Sequence, residues 1–225
     1  MIVAIDGPSG AGKSSVSKAV ARRLGFSCLD TGAMYRAVAW QALHDGVALD
    51  DDAALGAIAR SHEISFEHEP GDPAPKRVFI AGADVTSDIR TARIDQSVSA
   101  ASAAPSVREA LVAQQRRIGA DGDYVVEGRD IGTTVFPDAD VKVFLTASAA
   151  ERARRRVAQN RKRGVGSVDL EAVYADIVAR DERDSTRAAS PLRPAADAVL
   201  IDSTGRSKDQ IIDEVCALVR AAREG

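Results

Sequence analysis

The feature that most constrains this chain is a glycine-rich segment near its amino terminus. It reads Gly7-Pro8-Ser9-Gly10-Ala11-Gly12-Lys13-Ser14 and matches the pattern G-x-x-x-x-G-K-[ST]. The apolar run Ile2–Ile5 before it predicts a buried parallel strand, and Ser15–Leu24 after it predicts an amphipathic helix. In this strand–loop–helix context, loop N–H groups and the helix N-terminus point at phosphate oxygens. The segment therefore predicts a binding site for a nucleoside triphosphate.

Two side chains of this segment carry specific chemistry. Lys13 would place a positive charge near the β- and γ-phosphates, and the Ser14 hydroxyl would hold Mg²⁺. An ordinary glycine-rich strand-to-helix turn is the alternative. Because the spacing is complete and both side chains are present, the phosphate-binding interpretation is preferred.

Composition and charge exclude several classes of protein. With 225 residues, 45% of them apolar, the chain can form a full α/β core with small insertions. A net charge of −3 does not suggest a nucleic-acid scaffold. Cys28 and Cys216 fit no metal or redox spacing and are predicted to be buried free thiols in a reducing cytosol. The first strand leaves no room for a signal peptide and no apolar run is long enough for a membrane, so we expect a cytoplasmic protein.

Strands alternate with helices along most of the chain. This order predicts an α/β fold with a parallel sheet covered on both faces. Asp30–Gly32 is predicted to be a turn before a helix at Ala33–His44. Because ligands of such sheets bind beyond the carboxyl ends of the strands, Gly7, Asp30 and Arg129, which each follow a predicted strand, are expected to converge on one crevice.

The central part of the chain has a different character. Ile64–Glu67 and Arg77–Ile80 predict two antiparallel strands, followed by a turn at 81–84. Residues 88–104 predict a helix. A second helix is predicted at 106–119, with Ser106 as its N-cap because Glu109 follows three residues later.

Arginines are concentrated in two later segments. Arg152–Arg163 is strongly basic and ends beside Gly164 and Gly166, and a second cluster spans Arg180–Arg187. One interpretation is a solvated helical face with ion pairs four residues apart, such as Glu151 with Arg155. The other is a hinged lid whose guanidinium groups neutralise a phosphoryl group in transfer. The density of arginines favours the lid for the stretch as a whole.

Several segments together resemble one family over nearly the whole chain. They are Ile5–Ser14, Leu29–Arg36, Asp88–Thr91, Val107–Leu111, Glu127–Pro137, Arg180–Asp184 and Pro194–Ala198. With these segments the chain is similar to the bacterial cytidylate kinases, which phosphorylate CMP and dCMP. Two positions depart mildly: Thr31 stands where the family often has Ser, and Glu127 where it often has Asp.

The resemblance implies a three-layer P-loop NTPase core with a parallel sheet, a helical lid and an inserted nucleoside-monophosphate-binding region that contains the small antiparallel sheet. The core would comprise residues of about 1–60, 105–150 and 190–225. The inserted region would be about 61–104, and the lid about 151–187.

The resemblance also implies the ligands and the site residues. ATP would be the phosphoryl donor, Mg²⁺ would bind at Ser14, and Lys13, Arg129 and Arg187 would be catalytic. The ATP-binding residues would be Gly7, Pro8, Ser9, Gly10, Ala11, Gly12, Lys13, Ser14 and Ser15. The CMP-binding residues would be Thr31, Tyr35, Arg36, Arg90, Ser99, Arg108, Arg129, Asp130, Arg180, Asp184 and Arg187.

Within this implied set, three residues would surround the cytosine, namely Ser99, Arg108 and Asp130. Cytosine offers a donor at N4 and acceptors at N3 and O2, so a carboxylate or hydroxyl together with an arginine can recognise its edge. Asp130 could instead form an ion pair with Arg129, or lie behind the ligands of Mg²⁺ without contacting the ion. The expected partners are nucleotides alone, and neither nucleic acid nor a membrane is expected. The chain is expected to be monomeric.

Two other kinds of protein compete with an ATP:CMP phosphotransferase. One is a P-loop kinase for another acceptor, such as UMP, AMP or a small metabolite. The other is a GTP-binding switch, which would recognise guanine with an Asn-Lys-x-Asp element. Since Asn160 is the only asparagine and Arg161 follows it, that element is missing. A nucleotide-binding module without catalysis fits the arginine density poorly.

Overall fold

The computed structural model describes residues 1–224, which divide into two compact units. The first unit consists of residues 1–28 and the chain from Asp123 onward, and the second is Leu29–Gly122. In chain order the strands are β1 (Ile2–Asp6), β2 (Ser27–Asp30), β3 (Ile64–His68), β4 (Pro75–Ile80), β5 (Ala83–Asp84), β6 (Tyr124–Gly128), β7 (Val141–Thr146) and β8 (Val199–Asp202). The α-helices are α1 (Lys13–Leu24), α2 (Thr31–His44), α3 (Asp52–Ser61), α4 (Ala92–Ala103), α5 (Pro105–Ala120), α6 (Ala149–Arg163), α7 (Leu170–Thr186) and α8 (Lys208–Glu224). A 3₁₀ turn spans Asp88–Arg90, and a single π-helical turn spans Ile131–Val135.

The large sheet has five strands in the order β2-β6-β1-β7-β8. Strand β1 pairs in parallel with both β6 and β7, and β7 pairs in parallel with β8. Because Asp6 lies opposite Gly128 on one side and Phe144 on the other, the carboxyl ends of three strands meet at one edge. The predicted α/β class with a parallel sheet is confirmed.

One face of this sheet is covered by α1 and α8. Val3, Ile5 and Val143 are at most 1% exposed in the core cluster that joins the strands to the two helices. From the helices, Val20 of α1 and Val215 of α8 enter the same cluster and are fully buried. This burial of aliphatic side chains anchors α1 against the sheet, and it is α1 that carries Lys13 and Ser14 at its start.

The second unit contains α2–α5 and a three-stranded sheet in the order β3-β4-β5. The two predicted antiparallel strands are confirmed. The turn predicted at 81–84 is wrong in its second half, where Ala83 and Asp84 form β5 and pair with β4. The chain reverses within Ala81 and Gly82, both of which have positive φ, and this tight reversal returns the next two residues to the sheet.

Three further local predictions need correction. The turn at Asp30–Gly32 is wrong, because β2 ends at Asp30 and α2 begins at Thr31, with the Asp30 carboxylate capping the N–H of Ala33 at 3.1 Å. The helix predicted over 88–104 is interrupted at Thr91, which is extended and caps α4.

Ser106 is not an N-cap. Helix α5 already begins at Pro105, whose ring suits the first helical position, and the preceding Ala104 stands at the cap. The Ser106 N–H and hydroxyl instead donate to the Asp52 carboxylate, at 3.0 and 2.7 Å. Asp52 thus serves as a cap supplied from another helix, which a local sequence pattern cannot reveal. Within residues 1–224, no helix combines the length and the apolar character that crossing a membrane requires.

Candidate active site

The glycine-rich loop connects the end of β1 to the start of α1 and lies against its neighbours without room for side chains. Gly7 has a φ of 147°, and a Cβ there would lie 1.9 Å from the Leu145 carbonyl oxygen. Gly10 has a φ of 81°, and its Cβ would lie 3.0 Å from the Cβ of Arg152. Glycine is therefore required at both positions. Close packing against Leu145 and Arg152 thus fixes the path of the loop before Lys13.

Lys13 is folded back over this loop. Its Nζ donates to the carbonyl oxygens of Gly7 and Pro8, at 2.7 and 2.8 Å, and only 7% of the residue is exposed. Burial, followed by repulsion from Arg129, lowers the pKa of Lys13 well below its usual value, against the opposing effects of Glu127 and Asp6. Arg129 thus places a second positive charge near the buried ammonium group of Lys13, which is an arrangement that a bound polyanion would relieve.

Ser14 is paired with a carboxylate from β6. Its hydroxyl donates to Oε2 of Glu127 at 2.8 Å, and Glu127 is 3% exposed. A hydroxyl and a carboxylate are the hard oxygen ligands that Mg²⁺ prefers. No group of three His, Cys, Asp or Glu side chains suited to a metal occurs within residues 1–224. Glu127 has no role among the residues predicted from the sequence, although a carboxylate next to the end of a buried strand is a usable signal.

Only some of the basic residues of α6 face solvent, among them Arg154, Arg161, Lys162 and Arg163. Arg152 is 5% exposed and uses its guanidinium on three partners: the carbonyls of Ala147 and Ser9, at 2.8 and 3.1 Å, and the Asp181 carboxylate at 2.6 Å. Arg152 therefore links the glycine-rich loop to α7. The solvated alternative is wrong for this residue.

The other arginines of α6 divide between loop and solvent. Arg155 donates to the Ala11 carbonyl at 3.3 Å and to the Ser203 hydroxyl at 3.0 Å, and it also forms the predicted ion pair with Glu151. Arg156 donates to the Ser9 hydroxyl at 2.9 Å. Arg154 is 65% exposed and pairs with Glu151. Since sequence spacing could not separate the four, it missed Arg152, Arg155 and Arg156 as neighbours of the loop.

Four of the residues predicted to contact the acceptor are joined in the first unit. Arg129 follows β6 and donates to Asp184 of α7 at 2.9 Å, and Arg180 lies 4.0 Å from the same carboxylate. Burial acts to raise the pKa of Asp184, but the three arginines 129, 180 and 187 outweigh it and hold that pKa below its usual value. The carboxylate is therefore ionised near neutral pH and orients the guanidinium groups around it.

Asp130 is paired with Arg187 rather than with Arg129. The Arg187 guanidinium lies 3.4 Å from Oδ1 of Asp130 and donates through Nε to the Ser190 carbonyl at 2.6 Å. The alternative of an Arg129–Asp130 ion pair is not what the structure shows, because Arg129 is directed to Asp184. Two separate carboxylate–arginine pairs thus follow the end of β6.

The remaining predicted residues lie in the second unit around the beginning of α2. Thr31 is its first residue, and Tyr35 and Arg36 lie one turn later. The guanidinium carbon of Arg108, from α5, lies 5.7 Å from the centre of the Tyr35 ring, a cation–π distance. Arg108 is 5% exposed and donates to the Ser102 carbonyl at 3.4 Å.

Arg36 and Arg90 are oriented by carboxylates of the same unit. Arg36 donates to the Ile89 carbonyl at 3.2 Å and forms an ion pair with Asp95. Arg90 lies 3.8 Å from Asp30, the residue that caps α2. Ser99 is half-buried on α4, and its carbonyl accepts a hydrogen bond from Ser102. The contacts of Arg90 and Arg108 thus lead to the first two turns of α2, which carry Thr31, Tyr35 and Arg36.

Asp6, the last residue of β1, is a further buried carboxylate that is absent from the residues predicted from the sequence. Burial raises the pKa of its carboxyl from the ordinary 3.8 to about 6, against hydrogen bonds from the N–H groups of Gly132 and Ile131. Asp130 acts in the same direction as burial, and Lys13 acts against it.

This shift predicts a pH dependence of folding. Because the folded state holds the Asp6 proton up to about pH 6, the stability that this group contributes is full below pH 3.8 and is lost as the pH rises through 6. The unfolding free energy of the wild type minus that of Asp6→Asn should fall by about 2–3 kcal/mol between pH 4 and pH 7. Urea denaturation at several pH values measures it.

Asp123→Asn is the matched control. The amino group of Met1 and then Arg223 lower the pKa of Asp123. The unfolding free energy of the wild type minus that of Asp123→Asn should therefore not fall as the pH rises. A flat difference for Asp6→Asn would show that the Asp6 pKa is not raised.

The fold and the site together define a class. A parallel sheet whose first strand leads through a glycine-rich loop to a helix beginning with Lys-Ser is the P-loop kinase type of nucleotide-binding fold. A gluconokinase from Sinorhizobium meliloti has this fold in common with the chain, at a TM-score of 0.50 and 16% identity, covering 99% of this chain and 93% of that one.

The particular family follows from a match over residues 3–221 to the family model described as cytidylate kinase, and the chain belongs to this family. The chain is 51% identical to a cytidylate kinase of Corynebacterium glutamicum over 225 residues, covering 100% of this chain and 96% of that protein. It is 52% identical over 214 residues to a bifunctional pantoate ligase/cytidylate kinase of Trichormus variabilis, covering 95% of this chain but 40% of that longer protein.

Proposed function

We propose that this protein transfers the γ-phosphoryl group of ATP to CMP and dCMP, forming CDP, dCDP and ADP. The observation that carries the proposal is the glycine-rich loop with the buried Lys13 folded over it and the charge of Arg129 nearby, in a chain of the cytidylate kinase family. Like charges held together away from water favour a polyanionic ligand. The alternatives of a kinase for another acceptor and of a GTP-binding switch predict different reactions and can be tested directly.

The chemistry requires positioning and charge rather than a general base. An oxygen of the acceptor phosphate, already ionised near neutral pH, attacks the γ-phosphorus. The bond from that phosphorus to the bridging oxygen breaks, and ADP leaves with the electron pair. Lys13 and the arginines stabilise the charge that spreads over the transferring oxygens, while the closed site excludes water.

Mg²⁺ is proposed as the accompanying ion. Ser14 would hold it, and Glu127 would orient the Ser14 hydroxyl through the 2.8 Å hydrogen bond. When bound, the ion neutralises charge on the β- and γ-phosphates. Ser14 would need to turn its hydroxyl lone pairs to the ion while its proton stays on the carboxylate, which the observed donor direction allows.

The roles that the family resemblance implies for the acceptor-binding residues are proposed for this chain. The acceptor phosphate would contact Arg36, Arg129 and Arg187, and the sugar would contact Arg180 and Asp184. The cytosine would lie among Ser99, Arg108 and Asp130. The ion pairs of Arg36, Arg129 and Arg187 support these roles, because arginines already oriented by carboxylates lose little entropy when they bind a phosphate.

The division into core, monophosphate-binding region and lid remains a proposal, with the lid at about 151–187. The basic face that α6 presents to the glycine-rich loop through Arg155 and Arg156 supports it. A cytoplasmic location and a monomeric state also remain predictions.

The acceptor specificity can be measured in one panel. ADP formation from ATP and Mg²⁺ should be fast with CMP and dCMP and much slower with UMP and AMP. Faster turnover with UMP, AMP or a small metabolite would identify a different kinase. Tight GTP binding without turnover that depends on an acceptor would identify a switch protein.

Asp130 is predicted to help select cytosine over uracil. An ionised carboxylate only accepts hydrogen bonds, and uracil presents a carbonyl where cytosine presents an amine. Two opposed acceptors in a buried site cost about 1–3 kcal/mol. The amide of Asp130→Asn can either donate or accept a hydrogen bond. In this variant kcat/KM for CMP should fall, while kcat/KM for UMP stays constant or rises. The ratio of the two kcat/KM values should therefore decrease by about tenfold.

Asp130 also contacts Arg187, so the substitution can affect activity through this arginine as well as through the base. If the carboxylate acts only through Arg187, both substrates should lose activity equally, and the role in recognition would be wrong. Asp197→Asn is the control, because Asp197 is 65% exposed and pairs with Lys142. It should leave the CMP to UMP ratio unchanged.

A further inference from the structure

A buried carboxylate joins the first strand to the turn that follows β6. Asp6 ends β1, directly before Gly7, and is 4% exposed. Its Oδ1 accepts from the Ile131 N–H and its Oδ2 from the Gly132 N–H, each at 2.8 Å. Both oxygens of one carboxylate are therefore used on two consecutive amides.

These two amides open the π-helical turn Ile131–Val135, and Asp130 stands immediately before it. The Asp130 carbonyl accepts from the N–H groups of Thr134 and Val135, at 2.9 and 3.2 Å, so the turn is closed on this residue. Arg129, one residue earlier, reaches Asp184. A shift of the two amides would therefore move the backbone that carries Arg129 and Asp130.

The charge on Asp6 is costly for folding. Burial raises the pKa of its carboxyl, so ionisation at neutral pH opposes stability, and a neutral side chain would avoid that cost. The carboxylate nevertheless provides something that a neutral residue of similar size cannot, since only two acceptor oxygens satisfy two adjacent N–H donors. Asp6 makes these two hydrogen bonds at the start of the glycine-rich loop, to the turn Ile131–Val135 that follows Arg129 and Asp130.

We propose that Asp6 is a positioning residue, which sets the placement of Arg129 and Asp130 relative to the glycine-rich loop and so aligns the acceptor phosphate with the γ-phosphoryl group. The inference rests on the proposed phosphotransferase function. Asp6 acts through backbone amides and needs no contact with either substrate. Loss of these two hydrogen bonds should weaken the binding of CMP and slow phosphoryl transfer, while ATP still binds.

Asp6→Asn tests the geometry with little change in size. The amide keeps one acceptor oxygen but turns an NH₂ donor towards an N–H donor, so one hydrogen bond is lost and two donors are opposed. We expect kcat/KM for CMP to fall by tenfold or more, as an order of magnitude. The Kd of a non-hydrolysable ATP analogue, measured by calorimetry, should stay within about twofold of the wild type, since the loop N–H groups remain.

Asp6→Glu separates position from charge. It keeps the negative charge near Lys13 but lengthens the side chain by one methylene, which moves the oxygens away from their present alignment with the amides. If Asp6 acts by positioning, kcat/KM for CMP should fall in Asp6→Glu as it does in Asp6→Asn. Asp123→Asn is the matched control. Asp123 lies just before β6, at the amino-terminal end of the strands, where Tyr124 pairs with Ile2. This variant should keep the wild-type kcat/KM for CMP and the wild-type Kd for the ATP analogue.

Each outcome decides the proposal. Wild-type kcat and KM in a folded Asp6→Asn, or a loss of ATP-analogue binding as large as the loss of kcat/KM, would overturn it. Full activity in Asp6→Glu would assign the effect to charge and would also overturn it. If Asp6→Asn does not fold, Asp6→Glu alone decides. A wild-type protein that does not phosphorylate CMP would instead contradict the proposed function, whatever the variants do.

Discussion

Replacing Lys13 with alanine should lower kcat by a hundredfold or more, as an order of magnitude, while the protein stays folded. Lys13 is buried beside the glycine-rich loop, where an ammonium group interacts strongly with the charge of a transferring phosphoryl group. The lost interaction is strongest in the transition state, so kcat should change more than KM for CMP. Steady-state kinetics with MgATP and CMP, together with circular dichroism, provide the measurement.

Lys18→Ala is the matched control for this change. Lys18 lies on the same helix, α1, and has no role in the proposed site. It should keep wild-type kinetics. Near-normal turnover in a folded Lys13→Ala protein would remove Lys13 from the mechanism, and a similar loss in both variants would point to damage of α1 rather than to lost charge.

Replacing Arg129 with lysine should lower kcat on the order of a hundredfold although the charge is conserved. The Nε–H of Arg129 is held by Asp184 at 2.9 Å, which orients the plane of the guanidinium group. A phosphate can then be bound by two parallel N–H groups, whereas an ammonium group is a point charge without that planar fork. Kinetics with CMP measure the loss, and the unfolding free energy in urea shows whether the pair with Asp184 was also needed for stability.

Arg223→Lys serves as the control, because Arg223 is 46% exposed and pairs with Asp123 at 3.0 Å. It should leave kcat unchanged. If Arg129→Lys retained most of its activity, charge alone would suffice at that position, and the bidentate role proposed for Arg129 would be wrong.

The sequence allowed the elements around the glycine-rich loop to be predicted well, because local patterns determine them. The apolar run before Gly7 becomes β1, and the segment after Gly12 becomes α1. Predictions that depended on partners distant in sequence were less successful. Ser106 matched the local pattern of an N-cap, yet it donates to Asp52, which lies 54 residues away.

The same contrast appears in the candidate site. The residue types of the loop already indicate phosphate binding, because glycines, a lysine and a serine at that spacing have few other uses. The arginines of α6 are alike in sequence, and only packing separates the buried Arg152 from the exposed Arg154. No spacing rule links residue 152 to the carbonyl of Ser9.

By itself the sequence determined the class of fold, the phosphate-binding loop and the family to which the chain belongs. Periodicity, turn residues and short motifs are properties of neighbouring residues, and they survive without knowledge of the fold. The tertiary structure alone decided that Glu127 is bonded to Ser14, that Arg129 pairs with Asp184 rather than Asp130, and that both oxygens of Asp6 are bound to amides 131 and 132. These contacts join residues far apart in the chain, and hydrogen bonds of this kind depend on distances of tenths of an ångström that are set only once the tertiary structure has formed.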